Sequence, residues 1–324
     1  MSYVLNNKNV VRRETRERVL QVIEQLNFRP NAVARGLLSK RLNTLGVVLP
    51  SNVRSPILHP YYAPVLDGIM AVALRMEQNT TLFTGHTWIN ARESLPVFRD
   101  GRVDGLLLIC PPIGLDLIPA LTTAGMPFVL IDCQYEDPRV NEVTIDDVLA
   151  AKLMTHYLFD LGHRRIAFIC GASHSPYVGL RVKGFQRAHD DANIAFDRAS
   201  VLEGDYTRES LESRIHFVAS LPASARPTAI MVANDEMALD AMKILQSMGL
   251  RVPEEISVTG FDDNLGASSA HPPLTTIRQP LRDIGSRATE ILLDVIANDE
   301  ASPRKETMPI ELIVRESTAP PARG

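Results

Sequence analysis

Cysteine is scarce in this sequence. Its three copies, Cys110, Cys133 and Cys170, each end an apolar run, and no two form a C-x-x-C pair. That pattern argues against a disulfide framework or a thiolate metal site and reads as three small buried hydrophobes. Long apolar runs are also missing. None approaches the roughly 20 residues that a bilayer span needs, and the N-terminus has no stretch resembling a secretory signal, which predicts a cytoplasmic protein with no membrane partner. The spaced signatures of common chemistry are absent as well: G-x-G-x-x-G, G-x-x-x-x-G-K-[ST], H-E-x-x-H and G-x-S-x-G do not occur. The eight histidines are scattered, and His163–Arg164–Arg165 follows Gly162 in the manner of a solvated helix cap. No catalytic residue, metal or cofactor is expected, and the protein is not expected to be an enzyme.

What is present is a soluble globular composition, 45% hydrophobic and 22% charged over 324 residues, enough for one to three domains. The net charge of −4 conceals an asymmetry. Met1–Leu45 carries nine Lys and Arg against three Glu, a net of +6, and the remainder carries 25 cations against 35 carboxylates, a net of −10. A basic arm on an acidic body points to an anionic partner at the N-terminal end, nucleic acid first.

Val19, Val22, Ile23 and Leu26 recur at i, i+3, i+4, i+7, which predicts an amphipathic helix over Glu14–Leu26. From Thr44 onward the pattern changes. Short apolar runs alternate with helix-length amphipathic segments, with strands expected at Leu45–Leu49, Thr80–Thr84, Gly105–Cys110, Phe128–Cys133, Val143–Ile145, Ile166–Cys170, Val201–Glu203, Ala229–Ala233, Ile256–Gly260 and Leu312–Val314. Helices are expected near Pro64–Glu77, Leu115–Ala124, Asp147–Leu161, Leu180–Ala192, Arg208–Ser220, Glu236–Ser247 and Leu281–Ala297. Continuously apolar strands alternating with helices mean parallel sheets covered on both faces. Ten strands in two runs of five predict an α/β protein with two doubly wound lobes. Such sheets bind ligands at the carboxyl ends of their strands, so the facing lobes should form a cleft. Carboxylates collect at those ends: Asp132, Asp146, Asp262 and Asp263. They could be an acid–base pair, helix caps or hydroxyl-binding groups, and without a nucleophile or metal the reading is binding without turnover.

One segment resists this scheme. Pro30 and Asn31 open a helix that ends within about ten residues, contains Gly36, and carries Arg35, Lys40 and Arg41. Isolated helices shorter than about a dozen residues are marginal, and an interior Gly costs roughly 1 kcal/mol more.

The phrases themselves resemble a family. "ETRERVLQVIEQLNFRPNAVARGL" is similar to the third helix and hinge helix of the lactose-repressor (LacI/GalR) regulators. "RVDGLLLI", "FDLGHRRIAFI", "GLRVKGFQRA", "PTAIMVANDEMALDAMKILQSMGLRVPEEISVTGFDD", "PPLTTIRQP" and "LIVRESTAP" resemble that family's effector-binding body, in the family's order. The resemblance implies a partial DNA-binding headpiece over 1–43, with a hinge helix at 31–40. It implies a periplasmic-binding-protein-like body over 44–320, with lobe 1 at about 44–145 and 281–305 and lobe 2 at about 146–280 and 306–318. Family members open with about twenty further residues that complete a helix-turn-helix, so specific DNA binding is expected to need that completed headpiece. The weak helix then becomes a switch, ordered by operator DNA and a second subunit.

The resemblance further implies roles for particular residues. Asn31, Val33, Ala34, Arg35 and Leu37 would contact DNA, with Leu37 as a minor-groove wedge. In the body, Arg181 resembles the ligand-clamping Arg, Asp262 the acid that takes ligand hydroxyls or amines, and Tyr206 an aromatic platform. Asn234 ends a strand with both donor and acceptor, and Tyr61, Tyr62 and Asp132 fall where the other lobe contributes to the site. Ser51, His86 and Trp88 could line the wall, but no family motif supports them. Together they imply a ligand-responsive transcriptional regulator, read as a repressor, that is a homodimer and partners operator DNA and a small sugar-, polyol- or purine-like effector. A solute-binding protein of the same fold is the alternative, disfavoured by the cationic hinge segment and the missing signal.

Overall fold

The computed structural model describes residues 4, 11–25, 41–50, 55–84, 90–298 and 300–322. The expected hinge helix with Asn31, Val33, Ala34, Arg35 and Leu37 lies outside the described residues, as do Ser51, His86 and Trp88. Two units separate, Met1–Asn43 and Thr44–Gly324. In the first, α1 (Arg13–Gln25) takes the place of the expected amphipathic helix. Its exposed face carries an Arg13–Glu17 pair one turn apart at 2.9 Å. None of its residues is buried, and Val22 stands 44% exposed although the periodicity put it on the apolar face.

The second unit begins β1 (Thr44–Val48), α2 (Tyr62–Arg75), β2 (Asn79–Phe83), α3 (Ala91–Phe98), β3 (Gly105–Ile109), α4 (Leu117–Thr123), β4 (Phe128–Ile131) and β5 (Asn141–Ile145). It continues through α5 (Asp147–Asp160), β6 (Ile166–Cys170), α6 (Val178–Asp191), β7 (Val201–Glu203), α7 (Arg208–Ser220), β8 (Ala229–Val232), α8 (Asp235–Ser247) and β9 (Ser257–Thr259). Last come α9 (Leu265–Ser269), β10 (Thr276–Arg278), α10 (Leu281–Ala297), β11 (Lys305–Met308) and β12 (Glu311–Ile313).

Two parallel sheets result, in the orders β11-β5-β4-β3-β1-β2 and β7-β6-β8-β9. Their central strands are apolar on both faces because helices cover both. Every residue of β3, β4 and β6 is buried. One apolar cluster runs through both lobes, from Leu45 and Ile109 to Phe168 and Met231, and a separate cluster backs each sheet on its other side. Helix α10 returns from the second lobe to the first and lays Leu281, Ile284, Ala288, Ile291 and Leu292 under β3, β4 and β5. It meets α2 backbone to backbone: a Cβ on Gly68 would fall 2.0 Å from the Arg282 carbonyl oxygen, and one on Gly285 would fall 2.1 Å from that of Val65.

Three connections join the lobes. One is Ile145–Asp147. The other two contain β10 and β12, which pair antiparallel with Ile277 opposite Leu312. Strand β11 pairs in parallel with β5, Met308 opposite Ile145, so residues 306–308 belong to the first sheet rather than to the second lobe where the sequence reading put them. "KETM" is an edge strand with alternating exposure and carries no apolar run to announce it. Helix α3, with Pro96 inside, was equally unannounced. His163 corrects another expectation: it is 1% exposed, with Nδ1 2.8 Å from the Thr228 hydroxyl and Nε2 2.9 Å from the Ala319 carbonyl, so it ties the C-terminal segment to the second lobe instead of capping a helix in solvent.

Candidate effector site

The carboxyl ends of the strands face each other across the two lobes. Non-glycine residues there take a left-handed backbone: Cys110 after β3 (φ 47°), Asp132 after β4 (φ 51°), Tyr206 after β7 (φ 65°) and Asp262 after β9 (φ 116°). L-residues rarely adopt this conformation, and such strain concentrates at functional sites.

From the first lobe, the start of α2 supplies Tyr61 and Tyr62, whose rings meet edge to face at 4.9 Å. The Tyr61 hydroxyl donates to Asp132 Oδ2 and lies 3.4 Å from Cys110 Sγ. Asp132 is 7% exposed, and its other oxygen, Oδ1, is buried with no hydrogen-bond partner among the described residues. Burial pushes its carboxyl up to about 7, against the Tyr61 hydrogen bond that lowers it. Burial likewise raises the Tyr61 and Cys110 protons well above their ordinary values.

From the second lobe, α6 supplies Arg181. Its Nε donates to Asp147 Oδ1 at 2.7 Å and a terminal nitrogen donates to the Ala233 carbonyl at 2.8 Å. Its guanidinium carbon lies 3.5 Å from the Phe261 ring centre and 4.5 Å from that of Tyr177. Burial alone would lower its proton affinity, but Asp147 and its other neighbours outweigh that and raise it. Asp147 itself is raised, since burial exceeds the help from Arg181. Tyr206 lies across the end of β6, where a Cβ on Gly171 would fall 1.9 Å from its hydroxyl oxygen, so only glycine admits the ring there. Its hydroxyl donates to that of Tyr177 at 3.0 Å. Asp262 accepts from Gln279 Nε2 at 2.7 Å, and burial and then Asp235 raise its carboxyl well above the usual range. Gln279 is 5% exposed, and its Oε1 has no partner among the described residues.

Six of the seven residues singled out in the body therefore converge: Tyr61, Tyr62, Asp132, Arg181, Tyr206 and Asp262. Electrostatics register the convergence across the lobes. Tyr62 is raised by burial first, and then by Cys110, Tyr206, Asp132 and Asp262. Asn234 differs: its side-chain oxygen caps α8, accepting from Met237 N at 2.9 Å, which leaves only its amide donors for other work. Of the strand-end acids, Asp146 caps α5 and Asp263 is bound by Arg278 and Arg315, so both are structural. Sequence reasoning missed Asp147, Tyr177, Phe261 and Gln279. The first two begin or precede a helix, and nothing in their spacing distinguishes them from ordinary helix residues. At the rim, His59 Nε2 lies 3.6 Å from Glu236 Oε2 and Ile113 N donates to the His174 carbonyl at 3.1 Å, two contacts that bridge the lobes.

No group of three or more His, Cys, Asp and Glu among the described residues is placed to hold a metal ion. No helix among them is long and apolar enough to cross a membrane.

Comparison with known proteins bears on both units. The profile described as "Bacterial regulatory proteins, lacI family" matches residues 1–31, and "Periplasmic binding protein-like domain" matches residues 155–318. The chain is 35% identical over 321 residues to the HTH-type transcriptional repressor PurR of Aliivibrio fischeri (strain MJ11), covering 98% of this chain and 93% of that protein. Among solved structures it resembles the transcriptional regulator CelR–cellobiose complex (TM-score 0.78, 30% identity, 98% and 94% covered). It also resembles the lac repressor dimer bound to operator and the anti-inducer ONPF (TM-score 0.82, 27% identity, 98% and 94% covered). With an α/β body of two parallel sheets and this match along almost its whole length, the chain belongs to the LacI family of bacterial regulatory proteins and is a ligand-responsive, DNA-binding transcriptional regulator.

Proposed function

We propose that the interlobe cleft is the effector site, binding a small sugar-, polyol- or purine-like molecule through Tyr61, Tyr62, Asp132, Arg181, Tyr206 and Asp262, with Asn234 contributing its amide. The observation that carries this reading is the convergence of Asp132 from one lobe and Arg181 and Asp262 from the other, with Asp132 Oδ1 buried and without a partner among the described residues. Aromatic rings on both sides suit a flat or pyranose ligand. The cellobiose-bound relative supports a carbohydrate-sized occupant. The lobes act as the two jaws, about 44–145 with 281–308 and about 146–280 with 311–318, and effector binding sets their angle. That angle controls ordering of the hinge helix at 31–40, whose Asn31, Val33, Ala34, Arg35 and Leu37 contact operator DNA. The protein regulates without catalysis, works in the cytoplasm and acts as a homodimer. Met70 and Leu74, one turn apart on α2 and 51% and 81% exposed, supply an apolar face for the second subunit.

A thermal-shift screen of sugars, polyols and nucleobases tests the cleft. A true effector raises Tm by mass action, and Arg181→Ala and Asp262→Ala, still folded, lose that rise because each removes a charged partner in a closed site. A compound that stabilises both variants as strongly as the parent would place the effector elsewhere.

A further inference from the structure

Three buried side-chain polar atoms lack a partner among the described residues: the Thr259 hydroxyl and two pure acceptors. Asp132 Oδ1 and Gln279 Oε1 are buried without partners among the described residues, each on a side chain more than nine-tenths buried. Asp262 has one oxygen held by Gln279 Nε2, which fixes that amide so that its own oxygen points away from the bond it makes. A buried acceptor without a donor is costly, so a matching ligand must bring hydrogens.

Charge points the same way. Asp132, Asp147, Asp235 and Asp262 meet around the cleft, and Arg181 is the cation that reaches Asp132 and Asp262. That guanidinium is already paired with Asp147 at 2.7 Å and covered on its faces by Phe261 and Tyr177. Asp147 offsets part of its charge, and two of its five N–H donors are used in the bonds to Asp147 and Ala233. Asp132 and Asp262 lie close enough for the first to raise the proton affinity of the second. Among the described residues neither forms an ion pair of its own.

Resting on the reading of the cleft as the effector site, we propose that the effector carries a protonated amine on a hydroxyl-bearing frame, with the amine held between Asp132 and Asp262, and that it carries no phosphate or carboxylate. The ammonium supplies three donors to groups that lack them, and it relieves the repulsion between the two acids. The hydroxyls and ring face of the frame meet Tyr62 and Tyr206. Charge-assisted hydrogen bonds are the strong ones, so an amine there outweighs a hydroxyl in the same position.

Calorimetric titration of the full chain at pH 7 with 2-amino-2-deoxyhexoses, the parent hexoses and the hexose 6-phosphates tests this. At least one hexosamine should bind at least about tenfold more tightly than its parent hexose, one charge-assisted bond being sufficient for that factor. The corresponding 6-phosphate should not bind. Asp132→Asn should bring hexosamine and hexose within about threefold of one another, since it keeps the shape and the Tyr61 contact but removes the charge. Hexosamine binding should also release protons, visible as a heat that depends on the buffer's ionisation enthalpy. The groups facing Asp132 are Tyr61, Tyr62, Cys110, Asp147 and Arg181, and those facing Asp262 are Tyr62, Asp235, Gln279, Arg181 and Asp132. Among these, the acids must ionise to hold the amine. A parent hexose that binds as tightly as every hexosamine, or a phosphate that binds better, overturns the amine assignment and leaves the effector cleft standing. Failure of every hexosamine, hexose, polyol and nucleobase to bind overturns both.

Discussion

Asp132 is held by Tyr61 on one oxygen and has no partner among the described residues on the other, and its carboxyl is pushed up to about 7 by burial. An acid whose folded proton affinity exceeds its unfolded value binds a proton in the native state that the unfolded chain has already released. Stability therefore falls as pH rises from the unfolded carboxylate range towards about 7. For one such group the loss is on the order of a few kcal/mol, and Asp262 and Asp235, also raised by burial, act in the same direction. Without ligand, the protein should melt at a higher temperature at pH 5.5 than at pH 7.5, and Asp132→Asn should reduce that difference. A variant whose pH profile matches the parent's would remove Asp132 from the explanation. Gly171 is the other residue on which the site turns. Gly171→Ala should displace the Tyr206 ring, weakening effector binding while the chain still folds, because the obstacle is a side chain that can swing and not backbone.

Elements divide by how loudly their chemistry speaks. Strands such as Gly105–Ile109 and Ile166–Cys170 were legible because a parallel strand covered on both faces must be apolar throughout. Helices such as Arg208–Ser220 and Leu281–Ala297 were legible to the residue from their periodicity and flanks. The edge strand β11, with Lys305 and Glu306 facing partly outward, and the short crossover strand β10 have no such pattern: tertiary pairing alone makes them strands. In the same way, family phrases singled out Arg181 and Asp262, but Asp147 and Gln279 emerge only when the chain brings them beside those two. The α2–α10 contact gives a stability prediction. Gly285→Ala drives a methyl into the Val65 carbonyl, where backbone must move, and should cost about 1–3 kcal/mol, lowering Tm by several degrees. A Tm equal to the parent's would mean that the two helices are not so closely seated. The rim pair gives a smaller effect. His59 Nδ1 accepts from Tyr61 N at 3.2 Å, so Nε2 carries the ring proton that faces Glu236. A double-mutant cycle on ligand affinity with His59→Ala and Glu236→Ala should return a coupling of about 0.2–1 kcal/mol. Zero coupling would exclude the pair from lobe closure.

At the scale of the whole molecule, a basic N-terminal unit and an acidic body divide the labour between DNA and effector. A second subunit on the α2 face should make Leu74→Lys sediment as a monomer at micromolar concentration while keeping its effector affinity. A dimeric Leu74→Lys would move the interface elsewhere. Effector and DNA must also be linked energetically. If the jaws' angle governs hinge ordering, the effector changes DNA affinity by some factor, and DNA changes effector affinity by the same factor. The decisive measurement is therefore a pair of titrations on the protein with its helix-turn-helix completed, using a duplex that it selects from a random pool and the effector found by thermal shift. DNA affinity is measured with and without saturating effector, and effector affinity with and without DNA. The account predicts equal, reciprocal shifts of about five- to 150-fold, abolished together in Arg181→Ala, which still binds the DNA. DNA affinity that is unchanged by a cleft-bound effector would contradict it.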